Sequence, residues 1–353
     1  MSLNSNSTTQ ELTTTQPGAL VAIRPDRNPV IVYLASLGSH HSRRTMQTAL
    51  DNIAFLRAAG HLPGNPQERK AARGMAIRAG ERWAELDRAY TQAIRTALAE
   101  RYKPATANKM LSALRRVLKE AWRLGYMTSD DYRRAADVGA VKGSTIPAGR
   151  DLSSGELQAL FDACFDDAGR AGARDAALLA FLRAGLRRAE VVALDVSDLD
   201  VENGAIKIHG KGNKERTAYL DPNGLQAVRD WLSLRGDEPG ALLLPVSRGN
   251  NILFEQTDKN GETHPARLSS QAVYKVLKKR ADEAGLKEFS PHDFRRTFVG
   301  DLLDAGVDIA TTAKLAGHAN VQTTARYDRR TEETKRKAAG MLHTPYRGRA
   351  RMR

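Results

Sequence analysis

The sequence predicts a mainly α protein with a small antiparallel β-sheet, an α+β fold divided between two domains. Its 353 residues exceed the length of one typical domain. Apolar residues recur at helical spacing through most of the chain. The period changes to two only in one region, where three short strands are predicted at Val196–Val201, Ala205–His209 and Arg216–Leu220.

Shifts in composition divide the chain into segments. The predicted segments are a disordered leader at 1–27, a helical domain at 28–138, a linker at 139–150, a second domain at 151–345 and a basic tail at 346–353. The leader is polar and has too few large apolar side chains to form a core. The linker is rich in small residues and contains glycines and a proline, which are typical of exposed connections.

The first domain is predicted to contain four or five helices. Helical periodicity begins at Pro29 and again after Ser42, and the cluster Gly60–Pro66 ends this second helix in a loop. Two long amphipathic helices follow and are separated near Pro104. A short last helix begins at Ser129.

The second domain is predicted to begin with a helix that has a capping box, in which Ser153 and Glu156 satisfy each other's backbone amides. Another helix ends at Gly185. Asn203-Gly204 predicts a hairpin turn between the first two strands, and Gly210–Asn213 predicts a second turn before the third strand. The polar stretch 248–265 is expected to be a surface loop.

The charge of the chain indicates a polyanionic partner. Lysine and arginine outnumber aspartate and glutamate by 55 to 41, which gives a net charge of +14. Such an excess is typical of nucleic-acid-binding proteins. The polar faces of the first domain carry the expected DNA-backbone ligands, which are Arg43, Arg44, Lys109, Arg115, Arg116 and Lys119.

Cysteine content and hydropathy bear on the compartment. The single cysteine, Cys164, can form neither an internal disulfide nor a cysteine-rich metal site. No apolar run approaches the roughly 18 residues of a membrane span. The polar N-terminus lacks the features of a secretory signal. A cytoplasmic, nucleoid-associated protein is therefore expected.

The chemistry is predicted to lie near the C-terminus, in Ser290–Phe298, Leu315–His318 and Thr323–Tyr327. Ser290 is a suitable N-cap and the following proline a suitable first helical residue. A helix that starts there places His292 and Arg295 one turn apart on one face, so that two phosphate-binding groups point the same way.

These segments, together with two earlier ones, resemble the tyrosine recombinase or phage integrase family. The matching motifs are Gly185–Glu190, Gly210–Arg216, His292–Arg295, Leu315–His318 and Tyr327. The resemblance covers the second domain from about residue 150. It implies a tyrosine recombinase catalytic domain, preceded by a helical core-binding (SAM-like) domain that contacts DNA. The first domain matches only in this general character.

The resemblance implies a catalytic set of six residues: Arg187, Lys211, His292, Arg295, His318 and Tyr327. The two arginines suit a phosphodiester because guanidinium forks hold its oxygens and stabilise the charge that develops on them. The tyrosine is the expected nucleophile, and the same phenol can leave when the step is reversed. No metal or other cofactor is expected, since no carboxylate cluster of a two-metal site accompanies the set.

The remaining groups have supporting roles in this interpretation. Lys211, on the turn of the predicted hairpin, is the expected general acid for the departing 5′ oxygen, and Lys214 is its main rival. His292 is expected to accept the tyrosyl proton or to adjust phosphate protonation, and His318 to hydrogen-bond the phosphate. Lys214 and Arg216 are expected to bind the DNA backbone.

Three positions depart from the usual family pattern, at Ala184, Arg296 and Ala316. None of them removes a group of the catalytic set. After Tyr327 the sequence predicts a further helix up to Leu342, and the resemblance implies that this C-terminal segment docks onto a neighbouring protomer.

The resulting hypothesis is a site-specific DNA recombinase, independent of ATP, that acts as a homotetramer on two DNA sites. It would form 3′-phosphotyrosyl links and a Holliday junction. Integration or excision of a mobile element and resolution of chromosome or plasmid dimers remain open as its role, with or without accessory proteins. The alternatives are a type IB topoisomerase-like enzyme and a DNA-binding accessory protein without catalytic activity.

Overall fold

The computed structural model describes residues 27–143, 149–210, 214–258, 260–328, 336, 339–342 and 345. The chain divides into two compact units, Met1–Pro147 and Ala148–Arg353. Helices dominate both units, and the strands of the described residues all lie in the second, so the predicted fold class is confirmed. Nearly all of the predicted leader and all of the predicted basic tail lie outside the described residues.

The described part of the first unit is helical. Its helices are α1 (Pro29–Ala35), α2 (His40–Ala59), α3 (Pro66–Ala72), α4 (Met75–Ala79), α5 (Arg88–Arg101), α6 (Pro104–Arg123) and α7 (Ser129–Ala136). A 3₁₀ turn, Gly80–Glu85, connects α4 to α5. The helix starts follow the local sequence: Asn28 accepts hydrogen bonds from the amides of Val30 and Ile31, and Pro104 occupies the first turn of α6.

The core of the first unit lies around the apolar stripe of α6. Leu111, Leu114 and Leu118 on this stripe are buried. The fully buried Trp83 packs into the same cluster and donates its indole N–H to the carbonyl of Ala76 at 2.9 Å. Because the one polar atom of this ring has a partner, its burial leaves no unsatisfied donor.

The described part of the second unit combines helices with two small sheets. Its helices are α8 (Ser154–Phe165), α9 (Arg170–Arg183), α10 (Arg188–Ala193), α11 (Pro222–Arg235), α12 (Ser270–Glu283), α13 (Pro291–Asp304), α14 (Ile309–Ala316) and α15 (Val321–Ala325). The predicted capping box of Ser153 and Glu156 is present at the start of α8. The core surrounds α9, of which the stretch Ala177–Leu182 is buried.

A three-stranded antiparallel sheet has the order β1 (Leu199–Asp200), β2 (Ala205–Gly210), β3 (Lys214–Tyr219). The predicted first strand is too long, because Val196–Asp198 forms a 3₁₀ turn. The carboxylate of Asp198 accepts a hydrogen bond from the Asp195 amide at 2.9 Å, which favours this turn over an extended backbone. The second and third predicted strands are present.

The polar stretch 248–265 lies at the surface as expected, but it contains a second hairpin. β4 (Glu255–Thr257) pairs with β5 (Thr263–Pro265), and the side chains of both strands are exposed. The carboxylate of Asp258 accepts the amides of Asn260 and Glu262 and so closes the turn. Periodicity missed this hairpin because neither face carries apolar residues.

A buried ion network connects α8, α9 and α12. Arg280 is fully buried, and its guanidinium donates to the carboxylates of Asp175 and Asp167 and to the carbonyl of Ala163. Burial raises the pKa of the neighbouring Cys164 thiol to about 12; the charge of Arg280 opposes this rise and the nearby carboxylates add to it. Cys164 is therefore an uncharged packing residue at neutral pH.

Two further points concern the ends and the surface of the chain. Of the helix predicted after Tyr327, only Arg336, residues 339–342 and residue 345 are described, and Arg336, Ala339 and Gly340 have helical backbone. Across the described residues, none of the helices combines the length and the apolar character that crossing a bilayer requires.

Candidate active site

The start of α13 places the first two site residues as the sequence predicts. Ser290 has an extended backbone before the helix, and its amide and hydroxyl both donate to the carboxylate of Asp293, at 2.7 and 2.9 Å. The other oxygen of Asp293 accepts the Arg150 amide at 2.9 Å. The helix start is thereby fixed to the beginning of the second unit, with His292 and Arg295 one turn apart.

Arg295 is buried among backbone carbonyls. Its Nη1 donates to the carbonyl of Gly185 at 2.6 Å, and its Nη2 donates to the carbonyl of Ala316. Burial first, and then the nearby Arg187, lower the pKa of Arg295 to about 10. The group stays charged at neutral pH, and two distant segments hold its guanidinium in one orientation.

Arg187 immediately precedes α10, and its side chain remains exposed to solvent. Nη1 donates to Oε1 of Glu190 at 2.7 Å, and Nη2 donates to the carbonyl of Gly317 at 2.6 Å. The Arg187 amide donates to Oε2 of the same glutamate at 2.7 Å. These bonds orient a guanidinium that still has free donors for a ligand.

His318 and Tyr327 lie on the two sides of α15. Nδ1 of His318 is 2.8 Å from Oγ1 of the buried Thr324, which fixes the plane of the imidazole. The ring of Tyr327 lies nearly parallel to it, with centroids 6.3 Å apart. Burial, followed by the charges of Arg295 and Arg187, lowers the pKa of His318 to about 4, so this imidazole is neutral at physiological pH.

The phenol of Tyr327 contacts the imidazole of His292. Its Oη is 3.1 Å from Nε2 of His292. The guanidinium carbon of Arg296 lies 6.0 Å from the centre of the tyrosine ring. Partial burial and then the charge of Arg295 lower the pKa of His292, which favours the neutral imidazole that can accept a proton.

The structure therefore brings together five of the six predicted catalytic residues: Arg187, His292, Arg295, His318 and Tyr327. Beside them is a cleft of about 350 Å³, lined by Arg187, His292, Arg295 and Tyr274 among others. Arg188 stacks on Tyr274, with the guanidinium carbon 5.1 Å from the ring centre. Chemically, such a cluster can bind an anion with its arginines and deprotonate a phenol with its imidazole.

The three site residues predicted on the β2–β3 hairpin differ in where the structure places them. Lys211 lies outside the described residues, between the ends of β2 and β3. Lys214 is the first residue of β3 and pairs with Gly210. Arg216 was expected to bind DNA, but its side chain faces the protein and forms a two-pronged ion pair with Glu190.

The cationic side chains of the first unit also differ in their surroundings. Arg44 and Lys109 line one groove of about 360 Å³ between α2 and α6, and Arg116 is exposed. Lys119 is half-buried. The guanidinium of Arg43 donates to the carbonyl of Leu37, and that of Arg115 donates to the carbonyl of Val138.

Sequence reasoning missed Glu190 and Thr324, which orient Arg187 and His318. Local signals were available for Glu190 and for the inward direction of Arg216. Glu190 stands three residues after Arg187, in the first turn of a helix, where a carboxylate accepts the amide that precedes the helix. Arg216 shares a face of β3 with the buried Ala218, and Ile208, which pairs with Arg216, is buried as well. Period-two alternation therefore places Arg216 on the core side of the strand.

A separate group on the β4–β5 hairpin brings a histidine near two carboxylates. The ligand atoms of Asp258, Glu262 and His264 lie within 4.8 Å of one another, and all three residues are exposed. None of them belongs to the predicted catalytic set.

Comparisons with known proteins show which family this chain resembles. The model of the phage integrase family matches residues 150–334. Tyrosine recombinase XerC of Alcanivorax borkumensis is 30% identical over 293 residues, which are 82% of this chain and 90% of that protein. Tyrosine recombinase XerD of Vibrio cholerae is 29% identical over 236 residues, 65% of this chain and 71% of that protein.

A solved structure shares the fold. The XerH site-specific recombinase bound to a palindromic difH substrate, in a post-cleavage complex, superposes with a TM-score of 0.54 at 17% identity, covering 87% of this chain and 98% of that chain. The two relatives are named tyrosine recombinases, and the matched residues 150–334 include the whole cluster of arginine, histidine and tyrosine. The chain belongs to the phage integrase family of these enzymes. The relatives give no support to the topoisomerase or the inactive accessory protein.

Proposed function

We propose that this enzyme cleaves and rejoins specific DNA sites through a covalent 3′-phosphotyrosyl intermediate on Tyr327. The observation that carries the proposal is the 3.1 Å contact between Oη of Tyr327 and Nε2 of His292. In the proposed step, Oη attacks the phosphorus, the bond to the 5′ oxygen breaks, and the phenolic proton passes to His292. Attack by a 5′ hydroxyl reverses the step and rejoins a strand without ATP.

The two arginines are proposed to hold the scissile phosphate. Arg295 is fixed by the carbonyls of Gly185 and Ala316, and Arg187 by Glu190 and Gly317. Donors that are already oriented stabilise developing charge without further reorganisation. His318, which is neutral, is proposed to donate a hydrogen bond from Nε2, since its Nδ1 is engaged with Thr324.

Lys211 is proposed to protonate the departing 5′ oxygen. Its support is the position of the residue in the short connection between β2 and β3, next to Gly210, the last residue of β2. Lys214 remains the rival because it begins the following strand. An ammonium group is a suitable acid for an alkoxide, whose conjugate acid is far weaker.

The first unit is proposed to bind the DNA backbone through the α2–α6 groove, with Arg44 and Lys109 as its phosphate ligands. Arg116 and Lys119 on α6 extend the same role. Arg43 and Arg115 are weaker candidates, since each guanidinium already donates to a carbonyl of its own unit. The net charge of +14 supports extensive contact with phosphates.

Four copies are proposed to assemble on two DNA sites and exchange strands through a Holliday junction. A groove of about 440 Å³, lined by residues of α8, α9 and α11, contains the exposed Phe165 and Leu234, with Asp162 at the same surface. Met341 and Leu342 are also exposed, in a basic part of the sequence. Docking of this C-terminal segment in the groove of the next copy would join the assembly, and Phe165→Asp should then abolish synapsis while one copy still binds DNA.

The biological role is proposed to be either integration and excision of a mobile element or resolution of chromosome or plasmid dimers. In each case the enzyme would act on DNA in the cytoplasm, at the nucleoid, with or without accessory proteins.

The deciding experiment is covalent capture. Duplex DNA from the neighbourhood of the gene, nicked close to each candidate cleavage position, loses a short fragment after cleavage and traps the phosphotyrosyl link. The wild-type chain should form a protease-sensitive adduct on the 3′ phosphate. Tyr327→Phe should bind the same DNA and form none. An adduct that survives in Tyr327→Phe would move the nucleophile elsewhere, with Tyr346 as the next candidate.

A further inference from the structure

Arg216 is engaged in a nearly solvent-free ion pair. Its side chain is 15% exposed and that of Glu190 is 10% exposed. Nη1 of Arg216 donates to Oε1 of Glu190 at 2.9 Å, and Nη2 donates to Oε2 at 2.8 Å. This two-pronged geometry sets both the distance and the relative orientation of the two groups.

The same carboxylate also holds Arg187. Oε1 of Glu190 accepts from Nη1 of Arg187, and Oε2 accepts from the Arg187 amide, both at 2.7 Å. Burial by itself raises the pKa of Glu190, but the hydrogen bonds from Arg216 and Arg187 outweigh burial and hold the pKa below its ordinary value. Glu190 is therefore an anion shared by two guanidinium groups, and its position depends on both of them.

Arg216 also packs against the turn that precedes His318. A Cβ atom built on Gly317 would lie only 2.7 Å from Nε of Arg216, and the φ of Gly317 is +62°. Nε of Arg216 is 3.5 Å from the carbonyl of Leu315. The carbonyl of Gly317 in turn accepts from Arg187, so Arg216 and Arg187 contact the same turn.

Arg216 lies on β3, in the hairpin that carries Lys211, and is paired with Ile208 of β2. Its contacts therefore connect three segments that supply members of the proposed catalytic set. These are the hairpin, the start of α10 and the turn after α14. Nη1, Nη2 and Nε of Arg216 each already have an acceptor.

We propose that Arg216 is a positioning residue, which acts through Glu190 on Arg187 and through Gly317 on His318, and not a ligand of the DNA backbone. The inference rests on the proposed function. Loss of Arg216 releases Glu190 to move with Arg187 and opens space beneath the Gly317 turn. Displacements of about 1 Å at such a site slow a reaction about 100-fold, even when substrate still binds.

The test separates rate from affinity in Arg216→Met, which preserves side-chain length and removes the charge. With the nicked DNA substrate and saturating protein, the cleavage rate should fall about 100-fold. The dissociation constant for DNA and its salt dependence should stay at the wild-type values. A phosphate ligand would behave in the opposite way: the saturated rate would be retained, and the salt slope would fall by about 0.9. That result would overturn the inference.

Coupling to Glu190 distinguishes positioning from general damage to the fold. Glu190→Gln should also slow saturated cleavage, and the double variant should be much faster than the product of the two single effects predicts, since both act on Arg187. Multiplicative effects would contradict the inference. Arg248→Met, an exposed arginine of the same unit, is the matched control and should cleave at the wild-type rate.

Arg216→Lys covers the case in which Arg216→Met does not fold. Lysine retains one bond to Glu190, so the saturated cleavage rate of Arg216→Lys should lie between those of the wild type and Arg216→Met. If Arg216→Met is unfolded, the rate of Arg216→Lys should lie below that of the wild type, and the salt slope should be unchanged. A wild-type saturated rate in Arg216→Lys together with weaker DNA binding would reject positioning. If the wild-type chain itself forms no adduct, the proposed function fails; if only the Arg216 variants depart from expectation, this inference alone fails.

Discussion

Oη of Tyr327 lies 3.1 Å from Nε2 of His292, although 35 residues separate them in the chain. The contact joins the first turn of α13 to the segment that follows α15. Burial and the neighbouring Arg295 lower the pKa of His292, so its imidazole is neutral and can accept the phenolic proton. The proposed nucleophile and its proposed base are thus within hydrogen-bonding distance before DNA arrives.

His292→Gln should slow covalent-complex formation by about 100-fold to 10,000-fold, the usual contribution of a general base. A base must be neutral to act, so the wild-type rate at low DNA concentration should fall as the pH is lowered through the pKa of His292. Because that pKa is lowered, the fall should begin below about pH 6.5. The rate of His292→Gln should not show this fall at low pH, whereas the rate of His264→Gln, on the exposed hairpin, should show it. If the fall persists in His292→Gln, another group accepts the proton.

Arg187→Lys and Arg295→Lys should each raise the barrier to cleavage by about 3 kcal/mol, because one ammonium cannot reproduce a guanidinium fork. Their stabilities should differ. Lysine at 295 cannot serve both the Gly185 and Ala316 carbonyls, so urea denaturation should show a loss of about 1–3 kcal/mol in that variant and little loss for Arg187→Lys. Arg183→Lys, on the exposed pair with Asp301, is the control. Near-normal cleavage by Arg295→Lys would make its role purely structural.

His318 should make the second unit less stable as the pH falls. Burial, then Arg295 and Arg187, lower its pKa to about 4 in the folded chain, while the unfolded chain titrates near about 6.5. The folded state therefore binds fewer protons between these values, and its stability is full above about pH 6.5 and declines as the pH falls toward about 4. Urea midpoints of the wild type and His318→Gln, measured between about pH 7 and 5, should show a smaller decline for the variant. Equal declines would contradict the assigned shift.

Lys109→Gln should weaken DNA binding and lower the negative slope of log affinity against log salt by about 0.9, as expected for one lost phosphate contact. Lys70→Gln, an exposed lysine outside the α2–α6 groove, is the matched control and should leave the slope unchanged. Arg115→Gln should instead lower the free energy of unfolding by about 1 kcal/mol, since it removes the donor to the Val138 carbonyl. If Arg115→Gln also lowers the slope by about 0.9, Arg115 is a DNA ligand after all.

Lys211→Ala should fail in cleavage chiefly because the 5′ oxygen lacks a proton donor, whereas Lys214→Ala should lose mainly DNA affinity. A substrate with a 5′-bridging phosphorothiolate has a sulfur leaving group that needs no acid. This substrate should restore cleavage by Lys211→Ala and leave Lys214→Ala unimproved. If this substrate instead restores cleavage by Lys214→Ala, the roles of the two lysines must be exchanged.

Much of the fold could be predicted because its signals are local. Ser290 and Pro291 predict the start of α13, Pro104 predicts the separation of two long helices, and Asn203-Gly204 predicts the turn between the first two strands. The β4–β5 hairpin could not be predicted, since its strands are exposed on both faces and have no apolar alternation. Element starts depend on neighbouring residues, whereas a solvent-exposed hairpin leaves no hydrophobic pattern.

The sequence by itself determined the chemical identities and order of the proposed catalytic residues and, through helical spacing, the common face of His292 and Arg295. Only the tertiary structure decided how each group is held. Arg295 is oriented by carbonyls 110 and 21 residues away in the chain. Arg216 turns to Glu190, 26 residues away, instead of to solvent. Local sequence sets the direction of a side chain relative to its own strand or helix, but the partner that it meets depends on which distant segments pack against that face.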